Sequence, residues 1–131
     1  MKELFDVHCH MVPGVDDGAA DLEESLEMLK MQHEDGVRKI IITPHYRRRM
    51  FETPAKKVHE QFLKLQEAAK KEYPDMSLYL GCELHSNMDL QDILEKRKYV
   101  TMAGSSYVLL EFSEGDSAQH IRERVYKIGR A

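Results

Sequence analysis

Apolar residues recur along this chain in two alternating rhythms. Short runs read as strands over Leu4 to His10, Val37 to Thr43, Leu78 to Glu83 and Tyr107 to Phe112. The second holds Ile40-Ile41-Ile42 with no polar alternation, the pattern of a strand buried on both faces. Between the runs, apolar positions fall three or four apart. Leu22, Leu26 and Leu29 form one such series, Val58, Phe62, Leu65 and Ala69 a second, and Ile121, Val125 and Ile128 a third. That spacing places each set on one face of a helix. A further short helix is predicted over Asp89 to Lys96.

Punctuation supports these limits. Asp21 suits an N-cap, with Glu24 three residues on as in a capping box, and Gly36 suits the C-terminal cap of the same helix. Thr53-Pro54 opens the next helix, with proline at the first helical position. Met11 to Ala20 and Pro44 to Glu52 read as loops, the first through Pro13, Gly14 and Asp16-Asp17-Gly18.

Strand, loop and helix repeated four times predict an α/β fold, with a parallel sheet and flanking helices. In such folds the chemistry collects at the C-terminal ends of the strands. The polar residues respect that rule. His8 and His10 end the first strand, His45 follows the second, Glu83 ends the third and Glu111 lies near the end of the fourth. Asp16 and Asp17 stand in the loop after the first strand. Histidines two apart on a strand share a face, and two imidazoles on one face form a natural chelate. Carboxylates from neighbouring strands can then bridge a second ion. Any one of these residues alone reads as sheet-edge polarity, and Asp16-Asp17-Gly18 alone as a turn. A His or Glu at four successive strand ends reads as a metal cluster. His33, His59 and His120 fall within helices and are read as non-ligands, and His85 as a loop histidine.

Composition narrows the class. The chain has 131 residues and 42% hydrophobic content, which suits one domain over 1–131 with a real core. No apolar run approaches the roughly 20 residues of a membrane span, and Met1 to Asp6 carries no apolar signal core, so a cytoplasmic location is expected. A formal net charge of -4 argues against nucleic acid as a partner. Cys9 and Cys82 form no C-x-x-C pair. Neither is followed at the spacing of a cysteine-based tyrosine phosphatase by arginine, since those positions hold Val15 and Met88. Cys9 should face away from the two histidines, beneath a helix. A phosphate-binding P-loop is absent.

Asp6-Val7-His8-Cys9-His10 followed by Val12-Pro13-Gly14-Val15-Asp16-Asp17-Gly18 resembles the polymerase and histidinol phosphatase (PHP) superfamily. Leu22-Glu23-Glu24-Ser25-Leu26 narrows the resemblance to its bacterial capsule and exopolysaccharide tyrosine phosphatase branch. Thr43-Pro44-His45, the tract from Arg47 to Pro54, Gly81-Cys82-Glu83-Leu84 and Leu109-Leu110-Glu111-Phe112 continue it in order. The resemblance implies the N-terminal part of a distorted (β/α)7 barrel. It implies His8, His10, Glu83 and Glu111 as ligands of one metal pair and Asp17 and His45 as ligands of a third ion. Manganese is the implied metal, with iron, cobalt, zinc and magnesium as alternatives. Arg47 and Arg48 are implied at a phosphate, although solvated surface accounts for them equally well. The implied substrate is the phosphotyrosine tail of a bacterial tyrosine kinase that governs polysaccharide export.

One departure stands against the resemblance. Members of the branch are about twice as long, and their later half supplies an H-x-E-R tract and an Asp-x-His pair. His120-Ile121-Arg122-Glu123-Arg124 has one residue too many for that tract and lies in a helical pattern. The chain therefore reads as stopping before a fifth strand, with an open edge that favours self-association. Two rival functions stay open: another PHP phosphoesterase acting on a small ester such as histidinol phosphate, and a shortened, non-catalytic remnant.

Overall fold

The computed structural model describes residues 2–87, 89, 92–93 and 101–130. The backbone runs β1 (Leu4–Asp6), α1 (Leu22–Glu34), β2 (Val37–Ile42), β3 (His45–Tyr46), α2 (Ala55–Glu72), β4 (Ser77–Leu80), β5 (Glu83–His85), a 3₁₀ turn (Met102–Gly104), β6 (Leu109–Glu111) and α3 (Ala118–Arg130). The fold is mixed α/β, with every ladder between named strands parallel.

The ladders form two three-stranded sheets instead of the single sheet expected, in the orders β1-β2-β4 and β3-β5-β6. The predicted strand over Leu78 to Glu83 is split, so Glu83 opens β5 and does not close β4. The cause lies in Pro44, which has no N–H to donate and interrupts the ladder after Ile42. Gly81 N still donates to Ile42 O at 2.8 Å before it, and pairing resumes as Glu83 N donates to Pro44 O at 2.9 Å and His45 pairs with Glu83. The second sheet thus continues the first across a break.

The first strand is also shorter than expected. It ends at Asp6, and His8 and His10 follow in irregular backbone. Asp6 Oδ1 accepts from His8 N at 3.0 Å, a local bond that competes with the ladder. Past that point Thr43 N donates to Cys9 O at 2.8 Å and keeps the chain beside β2.

The helix limits follow the sequence closely. Asp21 accepts from Glu24 N at 2.9 Å, while the Glu24 carboxylate accepts from Ala20 N at 2.8 Å, one residue earlier than in a strict capping box. Gly36 ends α1 in the left-handed region at φ 92°. Pro54 sits just before α2 as its N-cap, one position ahead of expectation. The helix expected over Asp89 to Lys96 lies largely outside the described residues; Ile93 N donates to Asp89 O at 3.0 Å. No helix among the described residues is long and apolar enough to cross a membrane.

The main core lies between the first sheet and helices α1 and α2. Met11, Val12, Leu29, Ile40, Ile42 and Leu65 are fully buried there. Cys9 packs against this cluster, on the side expected of it. A smaller cluster of Cys82, Leu84 and Ile93 serves the second sheet, with Leu110 and Ile128 partly buried against it. The apolar stripe of α3 is weaker than its spacing suggested: the helix has no buried residue, and Val125 is 54% exposed.

Candidate metal centre

The break between the sheets is where the polar side chains gather. His45 opens β3 and Glu83 opens β5, and the two are register partners. Glu111 closes β6, the next strand over. His8 and His10 arrive from the chain beyond β1. They lie outside the strand, so strand alternation does not aim them, yet both reach the Glu83 carboxylate. His8 Nε2 is 3.1 Å from Oε1, and His10 Nε2 is 3.4 Å from Oε2. His45 Nδ1 is 3.1 Å from Glu83 Oε2 and 3.5 Å from Glu111 Oε2.

Among the described residues two groups of potential donors result: His8, His10 and Glu83, and His45, Glu83 and Glu111. Within each, the ligand atoms lie within 4.8 Å of one another. Glu83 belongs to both. His45 therefore joins the pair implied for His8, His10, Glu83 and Glu111, besides facing Asp17, whose Oδ1 is 3.6 Å from its Nε2. Asp17 itself is well exposed, at 65% of its side chain.

The chemistry of the set fits a divalent ion. His45 Nδ1, Glu83 Oε2 and Glu111 Oε2 are buried and have no hydrogen-bond partner, although they converge. Buried polar atoms are normally satisfied, because an unmet one costs about 1–3 kcal/mol. Imidazole nitrogen and carboxylate oxygen are the donors such an ion takes.

Packing holds the imidazoles in place. The rings of His10 and His45 stack at 4.3 Å and 17°, and Phe51 stacks on His45 at 5.1 Å and 17°. Phe51 is carried by a tight turn in the loop expected over Pro44 to Glu52, which also contains β3. Its ends are tied by Arg47 N to Phe51 O at 2.9 Å and Phe51 N to Arg47 O at 2.8 Å. Arg48 and Arg49 stand exposed at its tip, with Arg49 at φ 67°. Arg47 is partly buried beside it.

Behind the histidines lies Asp16, whose side chain is fully buried. Burial pushes its carboxyl up, but bonds from His10, His45 N and Gly18 N outweigh that and hold it below the usual carboxylate range. The bond to Asp16 raises the His10 imidazole above its ordinary value, against the opposing effect of burial. Burial, then the Asp6 and Asp16 charges, push the Cys9 thiol up to about 12, which leaves it neutral and a poor nucleophile.

Sequence spacing did not single out Asp16 or Phe51, and it misread His85. That histidine lies in β5, not in a loop, at 1% exposure. It is satisfied by Asn87 Oδ1 at 2.6 Å and Ser113 Oγ at 3.1 Å and belongs to neither donor group. His33 pairs with Asp75 and His120 with Asp116, neither histidine belongs to a donor group, and His59 is exposed on α2.

The chain matches the family described as capsular polysaccharide synthesis, CpsB/CapC, over residues 4–131. It belongs to that family. It is 40% identical to the tyrosine-protein phosphatase CpsB of Streptococcus pneumoniae over 90% of this chain and 49% of that protein. It is 31% identical to the tyrosine-protein phosphatase YwqE of Bacillus subtilis over 83% of this chain and 43% of that one. A solved structure described under YwqE and CpsB as unique metal-dependent tyrosine phosphatases superposes with a TM-score of 0.85 at 28% identity. That match covers 97% of this chain and 51% of the solved one. This CpsB/CapC chain thus spans about half the length of the relatives it matches.

Proposed function

We propose that this chain carries one portion of a metal-dependent protein-tyrosine phosphatase, with His8, His10, Asp17, His45, Glu83 and Glu111 as its metal ligands. The observation that carries the reading is the convergence of His45 Nδ1, Glu83 Oε2 and Glu111 Oε2, buried and without hydrogen-bond partners. Membership of the CpsB/CapC family supports the reaction, and the structural neighbour, a metal-dependent phosphatase, supports the cofactor. The two sheets are read as neighbouring staves of a distorted (β/α) barrel within one domain, 1–131. The metal is manganese or a similar divalent ion.

Within the site, Glu83 would serve both donor groups: its Oε1 faces His8, and its Oε2 faces both His10 and His45. His8 and His10 would hold one ion, His45 and Glu111 the other, and Asp17, which faces His45 Nε2, would belong to a third. With three protein donors per group, a bound ion would retain positions for water and for phosphoryl oxygens. Bound divalent ions would lower the pKa of water and neutralise charge on those oxygens. The neutral Cys9 thiol takes no part. A tyrosyl oxygen, with a reference pKa of about 10, leaves more easily than an alkoxide, so a strong general acid is not required. Arg47 and Arg48 approach the phosphate from the turn that carries Phe51. The substrate is the phosphotyrosine tail of a bacterial tyrosine kinase.

The test is turnover of a phosphotyrosine peptide beside histidinol phosphate, in chelator and again with manganese restored. Loss in chelator and recovery with manganese, on the peptide, is expected. Undiminished turnover in chelator, or preference for the small ester, overturns the reading.

A further inference from the structure

The loop between His10 and α1 folds back on itself, as Gly14 N donates to Ala19 O at 2.9 Å and Ala19 N to His10 O at 3.1 Å. Gly18 lies directly against His10: a Cβ there would meet His10 O at 2.1 Å and His10 Cβ at 2.6 Å. Only glycine lets the loop close this far. Closure delivers the Asp16 side chain, with none of it exposed, behind the imidazole.

Three donors meet the Asp16 carboxylate. Gly18 N donates to Oδ1 at 2.9 Å, and His45 N donates to Oδ2 at 3.0 Å. His10 Nδ1 is 3.1 Å from the same Oδ2. An ionised carboxylate only accepts, so the proton of a neutral His10 must sit on Nδ1. The lone pair is then left on Nε2, the nitrogen that faces Glu83. The neighbouring Asp17 points outward to solvent and to His45.

We propose that Asp16 is the positioning residue of the metal centre: one buried carboxylate that sets the His10 tautomer and pins the backbone of His45. The inference rests on the reading of this cluster as a metal site. Asp16 itself need not touch an ion, because its oxygens are already engaged by the protein. It acts on two donor groups at once, His10 in the first and His45 in the second. Partners that orient a metal-bound imidazole typically change affinity by about 10–100-fold when removed.

The experiment compares the full chain with Asp16→Asn, which keeps the volume but turns one acceptor into a donor facing N–H groups. Manganese affinity by titration calorimetry should fall about 10–100-fold. Nitrogen NMR of metal-free protein should show His10 protonated at Nδ1 in the wild type and a mixture of tautomers in the variant. Circular dichroism checks that the variant is folded. If it is not, the wild-type tautomer still decides, since a proton on Nε2 overturns the proposal. Wild-type binding with unchanged affinity in folded Asp16→Asn sinks the positioning role alone. A wild type that takes up no manganese sinks the metal reading beneath it.

Discussion

The two sheets are built from similar short parallel strands, yet they are insulated very differently. The first, β1-β2-β4, is covered by α1 and α2, and Leu29, Ile40, Ile42 and Leu65 are fully buried between them. The second, β3-β5-β6, has only Cys82, Leu84 and Ile93 buried in its cluster among the described residues, and no residue of α3 is buried. Three of the candidate donors, His45, Glu83 and Glu111, open or close strands of the second sheet, while His8, His10 and Asp17 stand in irregular backbone that follows β1 of the first. The contrast separates two tasks. Apolar burial in the first half supplies rigidity, while the second half tolerates polar atoms that no hydrogen bond satisfies.

The largest expected effect tests the first half of that contrast. Leu65→Ala removes a fully buried side chain and should cost about 2–5 kcal/mol in urea unfolding. Val125→Ala on α3, where the side chain is 54% exposed, should stay within about 0.5 kcal/mol. Equal losses would break the comparison. Next in size is Glu83→Gln, at the residue shared by both donor groups. Manganese affinity should fall at least about 100-fold, more than removal of an orienting partner costs. Its unfolding free energy should change by no more than about 1 kcal/mol. A variant that unfolds while a residual folded fraction still binds tightly would make Glu83 a structural residue.

The smallest effect lies at the opposite end of the first sheet. Asp75 is held below the usual carboxylate range, first by the bond to His33 and also by the charge of Arg38. A depressed carboxyl contributes stability above its unfolded value, about 3.9, and loses it as pH falls through the folded value. Asp75→Asn should therefore be slightly less stable than wild type at pH 7, and the gap should close as pH falls below that range. A gap that stays constant down to acid pH would assign the effect to something other than this charge.

Much of the scaffold was legible because its signals are local. Ile40-Ile41-Ile42, the stripe of Val58, Phe62, Leu65 and Ala69, and the caps Asp21 and Gly36 act within a turn or two of chain. Ile121, Val125 and Ile128 likewise marked the last helix, although none of them is buried and only Ile128 packs against the smaller cluster. His85, by contrast, misled. Its burial depends on Asn87 and on Ser113, the latter from a separate segment, so no adjacent residue announces it.

At the site, the residue types and their order at strand ends were readable, and the structure brings His8, His10, His45, Glu83 and Glu111 together. Their grouping was not. His45 turns toward Glu83 and Glu111 because Pro44 ends one ladder and restarts another with His45 and Glu83 in register. Of the adjacent pair Asp16 and Asp17, sequence could not say which carboxylate would be buried, because that depends on how closely Gly18 lets the loop approach His10.

The alternation of strands and helices, the family and the residue types of the candidate donors could be read from the chain alone, since periodicity, capping and residue type are properties of short stretches. The break of the sheet into two, the sharing of Glu83 between donor groups and the burial of Asp16 behind His10 emerge from the fold. Each of those depends on atoms distant in sequence competing for the same space and the same hydrogen bonds.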